Sequence, residues 1–259
     1  VQALASFLSV SINSTSDVSA GDTITAVSFN NLMDDVKTVW DNRLDVPVAS
    51  TTSANLGASS RTAGWGSSAT PEVTHEFSVT FSSETHARGF FNAGGRILFT
   101  GSRTGGTTGT AAGTIGSQNA DWTALLSGMG TLTFDIDNLV SSGATGTSAG
   151  KGFYELGTAY AQLYIKYGAG AYASNFYKSE GKINSTTNPT VITFKVTMRD
   201  DHALNSGALG PDGNPSTGDE TSGYVDAVDG TLTSDIDVRY PNSNGITLAA
   251  PTYTAISNL

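Results

Sequence analysis

The sequence predicts a mainly β protein: an antiparallel β-sandwich with one N-terminal amphipathic helix and one or two short helices. Composition gives the first reason, since 66 of the 259 residues are serine or threonine, 30 are glycine and only 14% are charged. This balance favours short strands joined by polar turns. Pattern gives the second reason, because short segments of alternating apolar and polar residues recur at regular spacing, as in antiparallel sandwiches.

Residues 1–48 are predicted to form an N-terminal arm followed by a docking helix. Residues 1–22 alternate weakly and then become polar. This pattern indicates either an arm or edge strand that another subunit completes, or a disordered segment. The first twelve residues lack the basic region of a signal peptide, so we expect Val1 to result from initiator removal or from proteolytic maturation.

The clearest helix is predicted over residues 26–44, with Thr25 as its N-cap. Its apolar residues fall three and four positions apart and form one stripe. Six of them make up the candidate assembly interface: Phe29, Leu32, Met33, Val36, Val39 and Trp40. Some of these positions also fit an a/d heptad, so the stripe is expected to pack either on its own domain or on a second copy of the chain.

Residues 49–74 are interpreted as a linker loop rich in serine, threonine, alanine and glycine. Trp65 stands alone between two glycines in this segment. An isolated tryptophan in such a loop is a possible glycan contact, because its ring can stack on a sugar. The alternative is that Trp65 fills a gap in the core or in a subunit interface.

Residues 75–259 are predicted to form the β-sandwich domain. Alternation with a period of two indicates strands in several segments: residues 75–82, 96–101, 131–136, 158–167, 190–199 and 231–240. A further strand is expected to start at residues 175–177. The C-terminal segment contains Pro251 and is therefore expected to be an edge strand.

Two helix–glycine–strand units organise this domain. The first carries Phe90 and Phe91 and breaks at Gly94 and Gly95, and the second carries Trp122 and breaks at Gly128 and Gly130. Glycine permits the positive φ that ends a helix, so these four residues are predicted structural turns. Gly94 and Gly95 are expected to adopt backbone conformations that a β-branched residue tolerates poorly.

The same units carry a resemblance to a known group. The run HARGFFNAGGRILFTGSRTGG followed by QNADWTALLSGMGTLTF resembles virion structural proteins of tailed bacteriophages, which share an F-F-N-A-G-G-x-I-x-F motif. The segment GDTITAVSFNNLMDDVKTVW is similar to the helix that opens many phage tail and fibre proteins. The resemblance implies a virion part, located in the virion after assembly in the host cytoplasm.

Composition and charge exclude several classes of partner. A net charge of −10 with no basic cluster disfavours nucleic acid. The chain has no cysteine, so neither disulfides nor thiolate zinc sites are possible. No apolar run approaches the ~20 residues of a membrane-spanning helix. No cofactor is expected.

One acidic segment is a weak candidate for calcium, although it lacks the EF-hand spacing. Its oxygen ligands would be Asp200, Asp201, Asp212, Asn214, Asp219 and Glu220. The alternative, a solvated acidic loop without burial, is favoured. His75 is expected to be a satisfied ring on a strand, and no nucleophile elbow or zinc-binding helix motif occurs, so no catalytic residue is expected.

These observations predict a non-enzymatic, homo-oligomeric virion protein, most consistent with a tail-associated fibre, baseplate or adaptor. Its partners would be copies of itself, other virion proteins and, for a host-attachment role, a surface glycan. The alternatives are a capsid decoration protein, a carbohydrate-binding adhesin and, last, a polysaccharide depolymerase.

Overall fold

The computed structural model describes residues 1–2, 5, 10–13, 21–42, 51–62, 72–106, 117–143, 145–201, 228, 230–243 and 246–258. Three α-helices occur in these ranges: α1 Ala26–Asp41, α2 Glu84–Asn92 and α3 Ser117–Met129. Short 3-10 turns cover Phe153–Glu155 and Gly170–Tyr172. The strands are β1 Thr51–Arg61, β2 Glu72–Thr80, β3 Arg96–Thr104, β4 Leu132–Phe134, β5 Leu139–Ser141, β6 Thr147–Ser148, β7 Ala161–Tyr167, β8 Phe176–Ile183, β9 Val191–Arg199, β10 Thr231–Ser243, β11 Ile246–Thr247 and β12 Thr252–Asn258.

The strands form two antiparallel sheets. The first has the order β1-β10-β3-β4-β5, with β11 paired to β10, and the second has the order β12-β2-β9-β8-β7-β6. The two sheets pack face to face, so the predicted β-sandwich is confirmed. Each sheet therefore has two edges, β1 and β5 in the first and β12 and β6 in the second.

Aromatic side chains from both sheets fill the space between them. Phe99 of the first sheet lies with its ring centroid 4.8 Å from that of Phe194 in the second, and Phe77 lies 5.6 Å from Phe194. All three are buried, as the alternation along β2, β3 and β9 predicts. Because each fully buried phenylalanine contributes about 1.5–3 kcal/mol, this cluster is a main source of stability.

The helix–glycine–strand units place α2 and α3 against this core. Phe91 of α2 stacks on Phe153 with centroids 4.4 Å apart, and Phe90 packs edge-on against Phe81. A Cβ on Gly101 in β3 would lie 2.8 Å from Leu126 Cδ2 of α3. The helix therefore sits directly on a strand that has no side chain at the contact.

Two of the four predicted turn glycines have a positive φ: Gly94 at 84° and Gly130 at 63°. Gly95 and Gly128 do not, so the expectation that Gly95 has a conformation barred to other residues is wrong. Gly95 is required for a different reason, because a Cβ there would lie 2.5 Å from the Phe90 ring and 2.6 Å from the Phe90 carbonyl oxygen. At Gly128 a Cβ would meet only the flexible end of Lys166, at 2.8 Å.

The linker interpretation of residues 49–74 is wrong for much of that segment. Residues Thr51–Arg61 form β1, which pairs along its whole length with β10, and β2 begins at Glu72. The segment lacks a strong apolar alternation, so its sequence alone does not indicate a strand. Its strand conformation depends on the hydrogen-bond ladder that it forms with β10. Trp65 lies outside the described residues.

Candidate functional site

Helix α1 begins and ends with well-formed caps. Thr25 Oγ1 accepts a hydrogen bond from the Ser28 backbone N–H at 3.1 Å, as its predicted N-cap role requires. Asn42 Nδ2 donates to the Thr38 carbonyl oxygen at 2.8 Å and closes the last turn. Lys37 and Asp41 form an ion pair one turn apart on the solvent side. Both ends of the helix are therefore closed by hydrogen bonds from its own residues and its caps.

The side of α1 that faces its own chain is largely polar. Asp35 is fully buried, and its Oδ1 accepts a hydrogen bond from the Asn13 backbone N–H at 2.6 Å. Val39 is also buried, with 6% of its surface exposed. Val39 therefore packs within its own chain, which differs from its predicted place in the assembly interface.

The other five predicted interface residues lie at the surface. Each of these residues has between 44% and 62% of its surface exposed. We call this set the α1 stripe: Phe29, Leu32, Met33, Val36 and Trp40. At 100° per residue these positions span about a quarter of the helix circumference, on the side away from Asp35. A stripe of this kind normally faces a core, so its exposure makes it the candidate interaction surface among the described residues.

An apolar groove continues the α1 stripe onto the sandwich. Its volume is about 660 Å³, and Val36 and Trp40 line one wall. Ile136 and Tyr154 line the other wall, with Asn92 and Asp137 among the polar residues around it. Tyr154 is held in place because its hydroxyl donates to Asn92 Oδ1 at 2.9 Å.

The second wall of this groove could not be predicted from the sequence. Ile136 and Tyr154 are about a hundred residues from α1, and no local pattern links them to it. Only the packing of α2 and the turn at Phe153–Glu155 brings them beside Trp40. An exposed tyrosine next to a buried phenylalanine was the single signal available.

The acidic segment is described only at its start. Asp200 is fully buried, because it continues the inward-facing alternation of Met198 in β9, so the expectation of a loop without burial is wrong at this residue. Asp201 accepts a hydrogen bond from Arg199 Nε at 2.6 Å. Asp212, Asn214 and Asp219 lie outside the described residues, as do Glu220 and His202. Within the described part of the chain no three His, Asp or Glu side chains approach closely enough to hold a metal ion.

The largest charge cluster of the described residues lies on the outer face of the second sheet. Glu180 accepts from Lys195 Nζ at 2.9 Å and from Lys178 Nζ at 3.2 Å. Burial raises the pKa of Glu180, but the two lysines outweigh burial and hold the pKa below its usual value. Tyr160 lies beside this cluster, with Lys182 Nζ 4.2 Å from its ring centroid, and burial with a hydrogen bond to Glu76 raises its pKa. These groups satisfy one another on a flat sheet face, which is the geometry of a structural charge ladder.

Two other residues considered at the sequence level are placed by the structure. His75 is fully buried, and its Nδ1 lies 2.8 Å from Ser234 Oγ in the opposite sheet, so it is a core residue whose ring is hydrogen-bonded at Nδ1. A second ring that could stack on a sugar, if it were exposed, is that of Tyr172 in the Gly170–Tyr172 turn. Only 4% of Tyr172 is exposed, so it cannot present its ring to a sugar.

Searches for similar proteins add no relative to this picture. The chain matched no protein-family model, no curated protein and no solved structure. Among the helices that the structure describes, none combines the length and hydropathy needed to span a bilayer.

Proposed function

We propose that this protein is a non-enzymatic structural component of a tailed-bacteriophage virion, tail-associated, that assembles with copies of itself through the α1 stripe. The exposure of that stripe on a helix whose polar side faces inward is the observation that carries the proposal. The virion context rests on the resemblance of the two helix–glycine–strand units and of the α1 segment to phage structural proteins.

The energetics fit self-association of the stripe. Two stripes meeting across a symmetry axis would cover ten half-exposed side chains, and full burial of each is worth about 1.5–3 kcal/mol. The sum of roughly 10 kcal/mol is comparable with the cost of association, about 4–15 kcal/mol. Burial of groove surface beside Trp40 adds to the favourable side. The gain from the stripe is therefore close to the cost of association, so a single charged substitution in the stripe should abolish assembly.

The charges around the stripe also permit two copies to meet there. The chain carries a net charge of −10, which makes copies repel one another in general. At the α1 stripe, however, Lys37 and Asp41 neutralise each other, and buried Asp35 points away. The acidic groups that remain nearby are Asp34 on α1 and Asp137 and Glu155 at the groove, so the apolar contact has to outweigh their repulsion.

A pair of variants tests the interface. Val36→Glu places a charge in the stripe, and Val140→Glu is its control, because both valines have 44% of their surface exposed and Val140, on β5, belongs neither to the stripe nor to the groove lining. We expect Val36→Glu to convert the oligomer to a 26.6 kDa monomer in light scattering after size-exclusion chromatography, while Val140→Glu leaves the mass unchanged. Circular dichroism checks that both variants fold. Equal masses for the two variants would refute the role of the stripe.

The virion context has its own test. Mass spectrometry of purified particles of the phage that encodes the chain should recover it in many copies per particle. If the protein is present in the infected cell but absent from the particles, the virion assignment is rejected. Self-assembly through the α1 stripe is tested separately, by the pair of variants described above.

A further inference from the structure

The two lateral sides of the sandwich end in edge strands of very different length. On one side the edges are β5 and β6, which have three and two residues. On the other side they are β1 and β12, which have eleven and seven. Very short edge strands are one way in which proteins prevent unwanted strand pairing. Only the β5–β6 side has that protection.

The long edges lie together and form one surface, which we call the β1–β12 flank. A Cβ on Gly57 of β1 would lie 2.5 Å from the ring of Tyr253 in β12. The Tyr253 hydroxyl and Ser59 Oγ are 3.0 Å apart and share a hydrogen bond. Because residue 57 is a glycine, the Tyr253 ring can pack against β1 and connect the two sheets. The two long edge strands therefore lie together on one side of the molecule.

The β1–β12 flank lacks the charges that usually protect an edge. The β12 sequence, TYTAISN, contains no charged residue, and β1 contains only Arg61 at its end. Within the described residues, β12 pairs with β2 on one side, and no backbone partner is found on its other side. In a chain of net charge −10, β12 itself therefore adds no like-charge repulsion between two copies. Next to β1 the acidic groups are Asp235 and Asp237 of β10, which accept hydrogen bonds from Asn55.

Each long edge strand carries one bulge, and the bulge in β12 exposes an apolar side chain. The β2–β12 register shifts between Ala255 and Ser257, which leaves Ile256 unpaired with 52% of its surface exposed. A bulge can protect an edge by twisting it away. Here the bulge also turns an isoleucine to the surface, which offers an apolar contact.

We propose that the β1–β12 flank forms a second contact between copies of this chain, in which β12 of one copy pairs antiparallel with β12 of another. The same strand of a second copy is the occupant that matches an uncharged, extended edge of this length. Such a contact is isologous, so residues near the symmetry axis face their own counterparts.

The size of this contact shows how it would work. Seven residues at ~3.4 Å each and sheets ~10 Å apart give roughly 240 Å² per copy. A stable interface needs about 800 Å² per partner. Pairing at the flank therefore relies on the α1 contact of the proposed function to hold copies at high effective concentration. With two different contacts, each chain links two neighbours.

Disulfide trapping tests the proposal, because it captures weak contacts and the native chain has no cysteine. Thr252, Thr254, Ala255 and Ile256 are all exposed and are each replaced by cysteine, one at a time. Counterparts across an antiparallel pair lie about 4.5–5.5 Å apart between Cα atoms, within disulfide reach. Val140→Cys on the β5–β6 side is the control.

We expect at least one β12 variant to form disulfide-linked dimers about tenfold or more faster than Val140→Cys, since pairing raises the effective thiol concentration. Rates equal to the control at all four positions would overturn the proposal. Adding Val36→Glu separates the two contacts. If that substitution lowers β12 crosslinking to the rate of the control, the flank contact depends on the α1 interface as proposed. If the oligomer and the crosslinking both persist, the α1 interface and that dependence fail, and the flank contact alone stands.

Discussion

At the scale of single residues, Gly95 shows how closely helix α2 joins strand β3. The Gly95 backbone N–H donates to the Phe90 carbonyl oxygen at 2.8 Å, and Phe90 is fully buried. Any side chain at position 95 would meet both that oxygen and the Phe90 ring. A backbone oxygen cannot move aside as the end of a flexible side chain can, so the contact is intolerant of even one methyl group.

Gly95→Ala is therefore predicted to destabilise the protein by about 1–3 kcal/mol, the usual cost of overpacking a core. Gly89→Ala is the matched control, because it lies in the same helix and nothing lies within 4 Å of a Cβ at that position. We expect Gly89→Ala to stabilise by up to about 1 kcal/mol, since alanine is the better helix former. Urea denaturation measures both free energies of unfolding. Equal effects would show that the Phe90 contact does not limit residue 95.

At the scale of elements, the outer face of the second sheet is stabilised by charges across strands β8 and β9. Glu180 lies directly opposite Lys195, with Lys178 two positions away on the same face. The lowered pKa of Glu180 means that the folded state binds its proton less tightly than the unfolded chain does. This stabilisation is present above the unfolded pKa, near 4.5, and is lost as the pH falls through the lower folded value.

Glu180→Gln is accordingly predicted to reduce stability at pH 7 by roughly 1 kcal/mol, because two lysines lose their shared partner. At pH 3 the difference from the unmodified protein should shrink, since pH 3 lies below the unfolded pKa of Glu180, where the stabilisation begins to be lost. Glu84→Gln is the control, because the Glu84–Arg88 pair is more exposed and confined to one helix, where such pairs contribute about 0.2–0.5 kcal/mol. A Glu180→Gln effect that is the same at pH 7 and pH 3 would contradict the charge-ladder account.

The elements differ in how far the sequence alone could predict them. Strands β2 and β9 and helix α1 were predicted because their apolar residues follow a clear period of two or of three to four. Strand β1 was missed because Ser, Thr, Ala and Asn give no apolar alternation, and its ladder comes from β10, far away in the chain. Strands β5 and β6 were missed because two or three residues contain no measurable period.

The candidate site was predictable in part. Spacing in the sequence identified the α1 stripe, but periodicity cannot tell whether a stripe faces a core or solvent. That orientation depends on Asp35, which is buried through a contact with Asn13. The groove beside Trp40 depends on Ile136 and Tyr154, which only the tertiary fold brings to α1. A single sequence does not show which distant segments lie next to each other in the fold.

At the scale of the whole molecule, the sandwich is a rigid unit whose described surfaces divide by charge. The second sheet presents a satisfied charge ladder, while the α1 stripe and the β1–β12 flank are apolar or uncharged. With a net charge of −10 and no cysteine, durable assembly must come from packing at such surfaces. Under the proposed function, a protein of this design acts through the geometry of its contacts.

The mass of the unmodified chain in solution tests this central claim most directly. Sedimentation velocity over a range of micromolar concentrations should give a closed homo-oligomer, with a mass that is a whole multiple of 26.6 kDa. The α1 stripe should then be protected from hydrogen exchange or labelling in the oligomer. A stable species of 26.6 kDa at every concentration would contradict assembly through α1 and with it the proposed structural role.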